Sequence, residues 1–231
     1  MPGFDLALLL RGQYHEWLVA GLLVSLKLAG VVLACALPLA IAIALLRLAP
    51  HRALRAIGAT YVEVIRNVPL LAHLLFWYFG APELLPDAVK EKLYAGNFEF
   101  IAAAIALTLY AAAFMAENIR SGIRAIPAVQ FEAGRALGLS FLGAMRRVVL
   151  PQALRVTVPP LLSQAIIFWN DTSVATVIGV GEMMYQGARV ETASFRSAEA
   201  FVFITAAYLA GSLSLTALGA WVQRRWPVRT F

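Results

Sequence analysis

Residues 28–46 read LAGVVLACALPLAIAIALL, nineteen positions without a charged side chain. A helix crosses the hydrocarbon core of a bilayer with roughly 20 mostly apolar residues, and this run extends back through Lys27 to Trp17. The apolar part of a cleaved leader is shorter, roughly 7–15 residues, and follows a positive start. Here the start holds Asp5, Arg11 and Glu16, so the run is expected to be a retained span.

The same reading extends along the chain. Residues 67–82 are uncharged and extend back toward Ile57 through Glu63 and Arg66. Residues 100–116, 156–170 and 200–223 are uncharged as well, the fourth stretch continuing past Asp171 to about Gly181. These patterns predict five transmembrane helices at about 17–47, 57–81, 98–119, 153–177 and 200–223, with a loop at 120–151. The predicted fold is a single all-α integral membrane domain over 1–231.

Composition agrees. Of the 231 residues, 61% are hydrophobic and 14% charged, against about 25% charged in a soluble domain, and the mean hydropathy is +0.76. So much apolar surface excludes a disordered chain. Cys35 is the one cysteine, so no intramolecular disulfide forms.

The formal charge of +6 is unevenly placed. Segments 47–55, 120–155 and 224–231 hold twelve arginines and one acid, Glu132, whereas 1–16, 82–99 and 182–199 hold five basic and nine acidic residues. Lys/Arg-rich loops stay on the cytoplasmic side. The expected topology puts the N-terminus outside and the C-terminus inside, which accounts for the basic charge without a nucleic-acid partner. Tyr14, Trp17, Trp77, Tyr78, Trp221 and Trp226 flank spans, as interfacial aromatics do.

The sequence lacks a G-x-x-x-x-G-K-[ST] phosphate loop and a second His after His15-Glu16. Three scattered histidines and one cysteine give no metal-ligand spacing. No catalytic residue and no cofactor bound by this chain are expected.

The loop between the third and fourth spans is the most informative stretch. Pro127 stops helix continuation, residues 128–137 carry small side chains suited to a short helix, and Gly138 suits a left-handed turn that ends it. A second short helix follows, with Phe141, Met145 and Val149 on one side and Arg146 and Arg147 on another. Two readings stand open from the residues alone: a knob gripped by another protein, or an amphipathic connector lying on the membrane.

Glu132-Ala133-Gly134, then Gly138-Leu139 and Leu150-Pro151, resemble the coupling-loop signature of ATP-binding-cassette (ABC) importer permease subunits. The stretches from Tyr61 to Leu71 and from Asn170 to Val180 resemble the polar amino acid branch. Within it, Val129 stands where Gly is usual, Gly134 where Ala is usual, Asn170 where Lys is common and His73 where Gln is common. The resemblance implies a type I importer-like permease in a bacterial cytoplasmic membrane. It pairs with a second permease subunit, identical or sister, and docks through Glu132, Ala133, Gly134, Gly138 and Leu139 on a cytoplasmic ATP-binding subunit dimer, which uses the ATP. A periplasmic or extracellular amino acid-binding protein delivers the substrate, and membrane lipids surround the chain. Glu132 is expected to pair with an arginine or to cap a helix start.

Five ionisable residues fall inside the spans: Lys27, Glu63, Arg66, Glu117 and Asp171. Each costs on the order of 2.5–3.5 kcal/mol at the bilayer centre and is therefore expected to face protein or water. Glu63 and Arg66, three apart on a helix, are positioned to pair. Glu63, Arg66, Asn67, Asn170, Asp171, Thr172 and Ser173 are the candidate substrate-path residues. The resemblance is closest to glutamate/aspartate permeases, whose acidic substrate would suit Arg66. The alternatives are a stand-alone secondary transporter, for which no inverted repeat is present, and a membrane scaffold.

Overall fold

Why each apolar run ends where it does is answered by its flanking residues. The computed structural model describes residues 5–227. Among them ten α-helices and several short 3-10 and π-helical turns follow one another, with no strand. α1 (Gly12–Leu48) covers the first predicted span; 37 residues at 1.5 Å each make it about 55 Å long, longer than the hydrocarbon core. α5 (Phe98–Arg124) starts where Asn97 Oδ1 accepts from the Phe100 amide at 3.0 Å. It ends three residues before Pro127. α10 (Ser197–Arg225) closes the described chain.

The second predicted span is broken. α2 (Arg52–Arg66) and α3 (Leu70–Leu75) are separated by Asn67, Val68 and Pro69. The helical path through Leu84 turns by 101° at this break. Proline supplies no amide and disfavours helix in the residue before it, which is why the path bends here.

α4 (Asp87–Tyr94) is a short polar helix. α6 (Ala128–Ala136) and α7 (Phe141–Ala144) form the predicted loop, and a π turn at Met145–Val149 runs without a break into α8 (Leu150–Asp171). Pro151 therefore lies inside a continuous helical path, two residues after the π turn, and a proline in that setting locally alters the helical bonding. A 3-10 turn at Thr172–Ile178 and left-handed Gly179 (φ 86°) lead to α9 (Met183–Ser194).

By length and composition, α1, α5 and α10 can each cross a membrane, and the pair bent at Asn67–Pro69 passes the same test only when taken as one span. α8 does not reach this standard among the described residues. Gln152, Arg155, three prolines, Gln164 and Asn170 dilute its apolar content.

The chain separates into two compact units. One takes the chain up to Cys35, Val68–Tyr110 and Ile167–Ser214. Its core holds Leu9, Leu18, Met183, Val190, Ala200 and Ile204, and α5 contributes buried Ala102, Ala103 and Ala106. Small side chains allow helices to approach closely where no water is available to drive packing.

The other unit takes Ala36–Asn67, Ala111–Ile166 and the chain from Leu215. Buried here are Ala36, Ala40 and Ala44 of α1, Val62 of α2, and Ala111, Ala112, Ala113 and Ala116 of α5. Gly122 of α5 lies against the side chain of Thr157 in α8 with no room for a methyl group. Thr157 Oγ1 is itself held by the Ala153 carbonyl at 2.7 Å.

Candidate functional site: the α6–α7 elbow

α6 and α7 fold back on each other over a small-residue contact. A Cβ at Gly134 would lie 3.3 Å from the Ala144 Cβ and the Val148 Cγ2, so Gly134 sets how closely the two arms approach. Gly138 has φ +82° with open space around it. The left-handed region costs other L-residues about 1–2 kcal/mol, so the turn itself requires this glycine. The Leu139 amide donates to the Gly134 carbonyl at 3.2 Å and the Gly138 amide to that of Arg135 at 3.0 Å. Arg135 Nη1 donates to the Leu139 carbonyl at 2.8 Å. Ser140 Oγ accepts from the Gly143 amide at 3.1 Å and caps α7.

Beneath the elbow Ile126, Val149 and Ala153 are buried, with Phe131, Met145 and Val156 packed around them. Phe131 meets the Phe141 ring edge-to-face at 5.3 Å. The outward side is apolar: Leu137 is 85% exposed, Leu142 73% and Phe141 65%. Exposed apolar side chains gathered in this way suit contact with another protein or with the membrane. Ala133 is exposed, Leu139 half-buried. Glu132 is exposed and makes no ion pair or hydrogen bond among the described residues. As the fifth residue of α6 it does not cap the helix start.

Just before the elbow, Glu117 of α5 accepts from Arg47 of α1 and from Arg120 of its own helix, Arg120 Nε lying 3.0 Å from Oε2. This carboxylate ties α1 to the end of α5. The expected Glu63–Arg66 pair does not form. Arg66 lies over the Phe114 ring at 4.9 Å, and among the described residues the Glu63 carboxylate takes the Asn67 side-chain amide at 3.5 Å, that amide bonding the Glu63 carbonyl at 2.7 Å. Ring and guanidinium stack favourably, and that contact draws Arg66 away from its helical neighbour.

Asn170, Asp171, Thr172 and Ser173 fall in the unit that lacks Glu63 and Arg66. There Asn170 Oδ1 accepts from Ser212 at 3.3 Å, Thr172 Oγ1 donates to the Trp169 carbonyl at 2.8 Å and Ser173 Oγ to that of Asn170 at 2.7 Å. Asp171 is half-buried with no side-chain partner among the described residues. Lys27 stands over the Phe100 ring at 5.0 Å.

Sequence reading missed the most fully bonded carboxylate. Glu182 has no exposed surface. It accepts from the Met184 and Tyr185 amides, both at 2.9 Å, from Tyr208 at 2.7 Å and from Ser25 at 3.3 Å. Ser25 Oγ in turn accepts from the Met183 amide at 3.1 Å. Burial pushes the Glu182 carboxyl above its ordinary range, and these donors offset only part of that rise. An acid directly before a helix was the signal available; its partners on α1 and α10 are far away in sequence.

Comparison with known proteins places this geometry. Residues 36–227 match the family described as binding-protein-dependent transport system inner membrane component. The chain is 34% identical over 200 residues to the glutamate/aspartate import permease protein GltJ of Escherichia coli (strain K12), covering 85% of this chain and 81% of that one. It is 32% identical over 221 residues to the probable glutamine ABC transporter permease protein GlnM of Bacillus subtilis (strain 168), covering 96% and 94%. Its fold matches a crystal structure of an amino acid ABC transporter with histidines at TM-score 0.84 and 28% identity, over 96% of this chain and 99% of that one. A subunit of the MetNI methionine ABC transporter shares the fold at TM-score 0.70 and 19% identity, over 95% and 100%. The chain belongs to the family of binding-protein-dependent transport system inner membrane components.

Proposed function

We propose that the chain is a permease subunit of an amino acid ABC importer. The apolar elbow at Leu137, Phe141 and Leu142, built on left-handed Gly138, is the observation that carries this reading. On it, the elbow docks on a cytoplasmic ATP-binding subunit dimer that uses the ATP, and the chain binds no cofactor. A second permease subunit, identical or sister, completes the path, and a periplasmic or extracellular binding protein delivers the substrate. The charge distribution supports an N-terminus outside, a C-terminus inside and five spans, with α8 and its 3-10 extension as the fourth.

The substrate class is a polar amino acid. The relatives in the comparison include permeases named for glutamate/aspartate and for glutamine. Arg66 at the end of α2 adds a cationic group that suits an acidic amino acid, so glutamate and aspartate come first. The test is uptake into proteoliposomes holding this chain, its partner permease and its ATP-binding subunit. Uptake of labelled glutamate that needs both ATP and the binding protein is expected. Uptake by the chain alone would make it a secondary transporter, and failure of any ATP-binding subunit to co-purify through the elbow would leave a scaffold.

A further inference from the structure

α8 and α10 come together at Leu162 and Gly219, where a Cβ on the glycine would make ordinary van der Waals contact with the leucine. One turn nearer the N-terminal end of α8 a groove of about 350 Å³ opens between them. Leu154, Val158, Pro159 and Val222 line it, together with the polar side chains Arg155 and Gln223. Trp226, 61% exposed, stands at one end. Arg224 and Arg225 fall between Gln223 and Trp226 in the chain and are exposed.

Arg155 is exposed and makes no ion pair or hydrogen bond among the described residues. No acid occurs between Glu132 and Asp171, and none after Glu199. The acids of these two helices, Asp171 and Glu199, stand at the opposite ends of α8 and α10, 16 residues from Arg155 and 27 from Trp226, so the groove carries positive charge that no nearby acid on α8 or α10 neutralises. A Trp at its end and a floor of branched and proline side chains fit the boundary between headgroups and acyl chains.

We propose that this groove binds one anionic phospholipid, its acyl chain against Leu154, Val158 and Val222 and its phosphate on Arg155. Arginine presents a planar fork that matches phosphate, and basic pockets between membrane helices hold anionic headgroups. A zwitterionic lipid would bring an ammonium that no carboxylate here meets. A second copy of the chain, set against this groove by a two-fold axis, would bring a face of the same sign.

The test is quenching of Trp226 fluorescence in the full-length chain, assembled with its transporter partners, in vesicles of phosphatidylcholine with or without phosphatidylglycerol. One lipid at a time is brominated, and the Trp226→Phe variant gives the background from the other tryptophans. An arginine near the membrane surface contributes about 1 kcal/mol toward an anionic lipid, a preference of about fivefold. Brominated phosphatidylglycerol is therefore expected to quench Trp226 about fivefold more effectively than brominated phosphatidylcholine at equal mole fraction. Arg155→Gln is expected to remove that preference and Arg155→Lys to keep most of it. Equal quenching by the two lipids overturns the proposal, as does a preference unchanged in Arg155→Gln. Crosslinking between two copies through Leu154→Cys, with Cys35→Ser in the background, would assign the groove to a protein contact and overturn it as well.

Discussion

Glu132 and Glu182 both stand near a turn that joins two helices, yet the fold treats them in opposite ways. Glu182 is fully buried and accepts from two amides and two hydroxyls. Glu132 is exposed on α6 with no partner among the described residues, beside outward-facing Leu137 and Phe141. A buried carboxylate must be bonded because leaving it unpaired costs several kcal/mol. An unpaired one at an apolar surface is free to meet another molecule. The difference separates a part of the chain that completes its own interior from a part that, on the proposed reading, finds its complement on a partner.

Five substitutions at four positions probe that contrast, the largest effect first. Gly138→Asp forces an L-residue into the left-handed region and puts a charge on the elbow. It is expected to abolish uptake and stimulation of the ATP-binding subunit while leaving the amount of chain in the membrane unchanged; normal uptake would end the assignment of the elbow. Leu137→Glu is expected to weaken co-purification of the ATP-binding subunit about tenfold or more, as loss of an interface anchor does. Its thermal unfolding in detergent should stay within about 0.5 kcal/mol of the parent, since the side chain supports nothing inside.

Glu182→Ala should behave in the reverse way. Stranding the Tyr208 hydroxyl and two amides is expected to cost about 2–3 kcal/mol of stability, measured by the same unfolding assay. Glu182 also gives a pH dependence of known sign. Its carboxyl is raised by burial, so the folded chain holds the proton more tightly than the unfolded chain. That contribution is complete below the ordinary carboxyl range, about 4.3, and is lost as pH climbs through the native value. Glu182→Gln should flatten this slope, and an unchanged slope would place the titrating group elsewhere. The smallest effect is expected for Gly134→Ala. A helix gains about 1 kcal/mol from that change, offset by two 3.3 Å contacts that must relax, so stability should shift by less than about 1 kcal/mol.

Much of this architecture is legible in the sequence because membranes penalise charge inside helices so heavily. The uncharged runs at 28–46, 100–116 and 200–223 fall within α1, α5 and α10. Pro127 and Gly138 bracket α6 as proline and glycine chemistry dictates. What stayed hidden depends on contacts distant in sequence. Glu63 and Arg66 have helical spacing that permits a pair, but Phe114 on another helix claims the guanidinium. α4 and α9 are short and mixed in polarity, so no single period marks them. The Glu182 anchor needs Ser25, 157 residues away, a pairing no local pattern announces.

The contact of Gly122 with Thr157 has a mechanical consequence. Two rods seated with no clearance at one crossing cannot slip along each other by a fraction of a turn without collision. α5 runs into the elbow and α8 leads out of it, so both stems of the elbow are pinned at the same point. On the proposed docking, a push there would reach the two stems as one tilt, and a spacer as small as a methyl group at position 122 would loosen that joint.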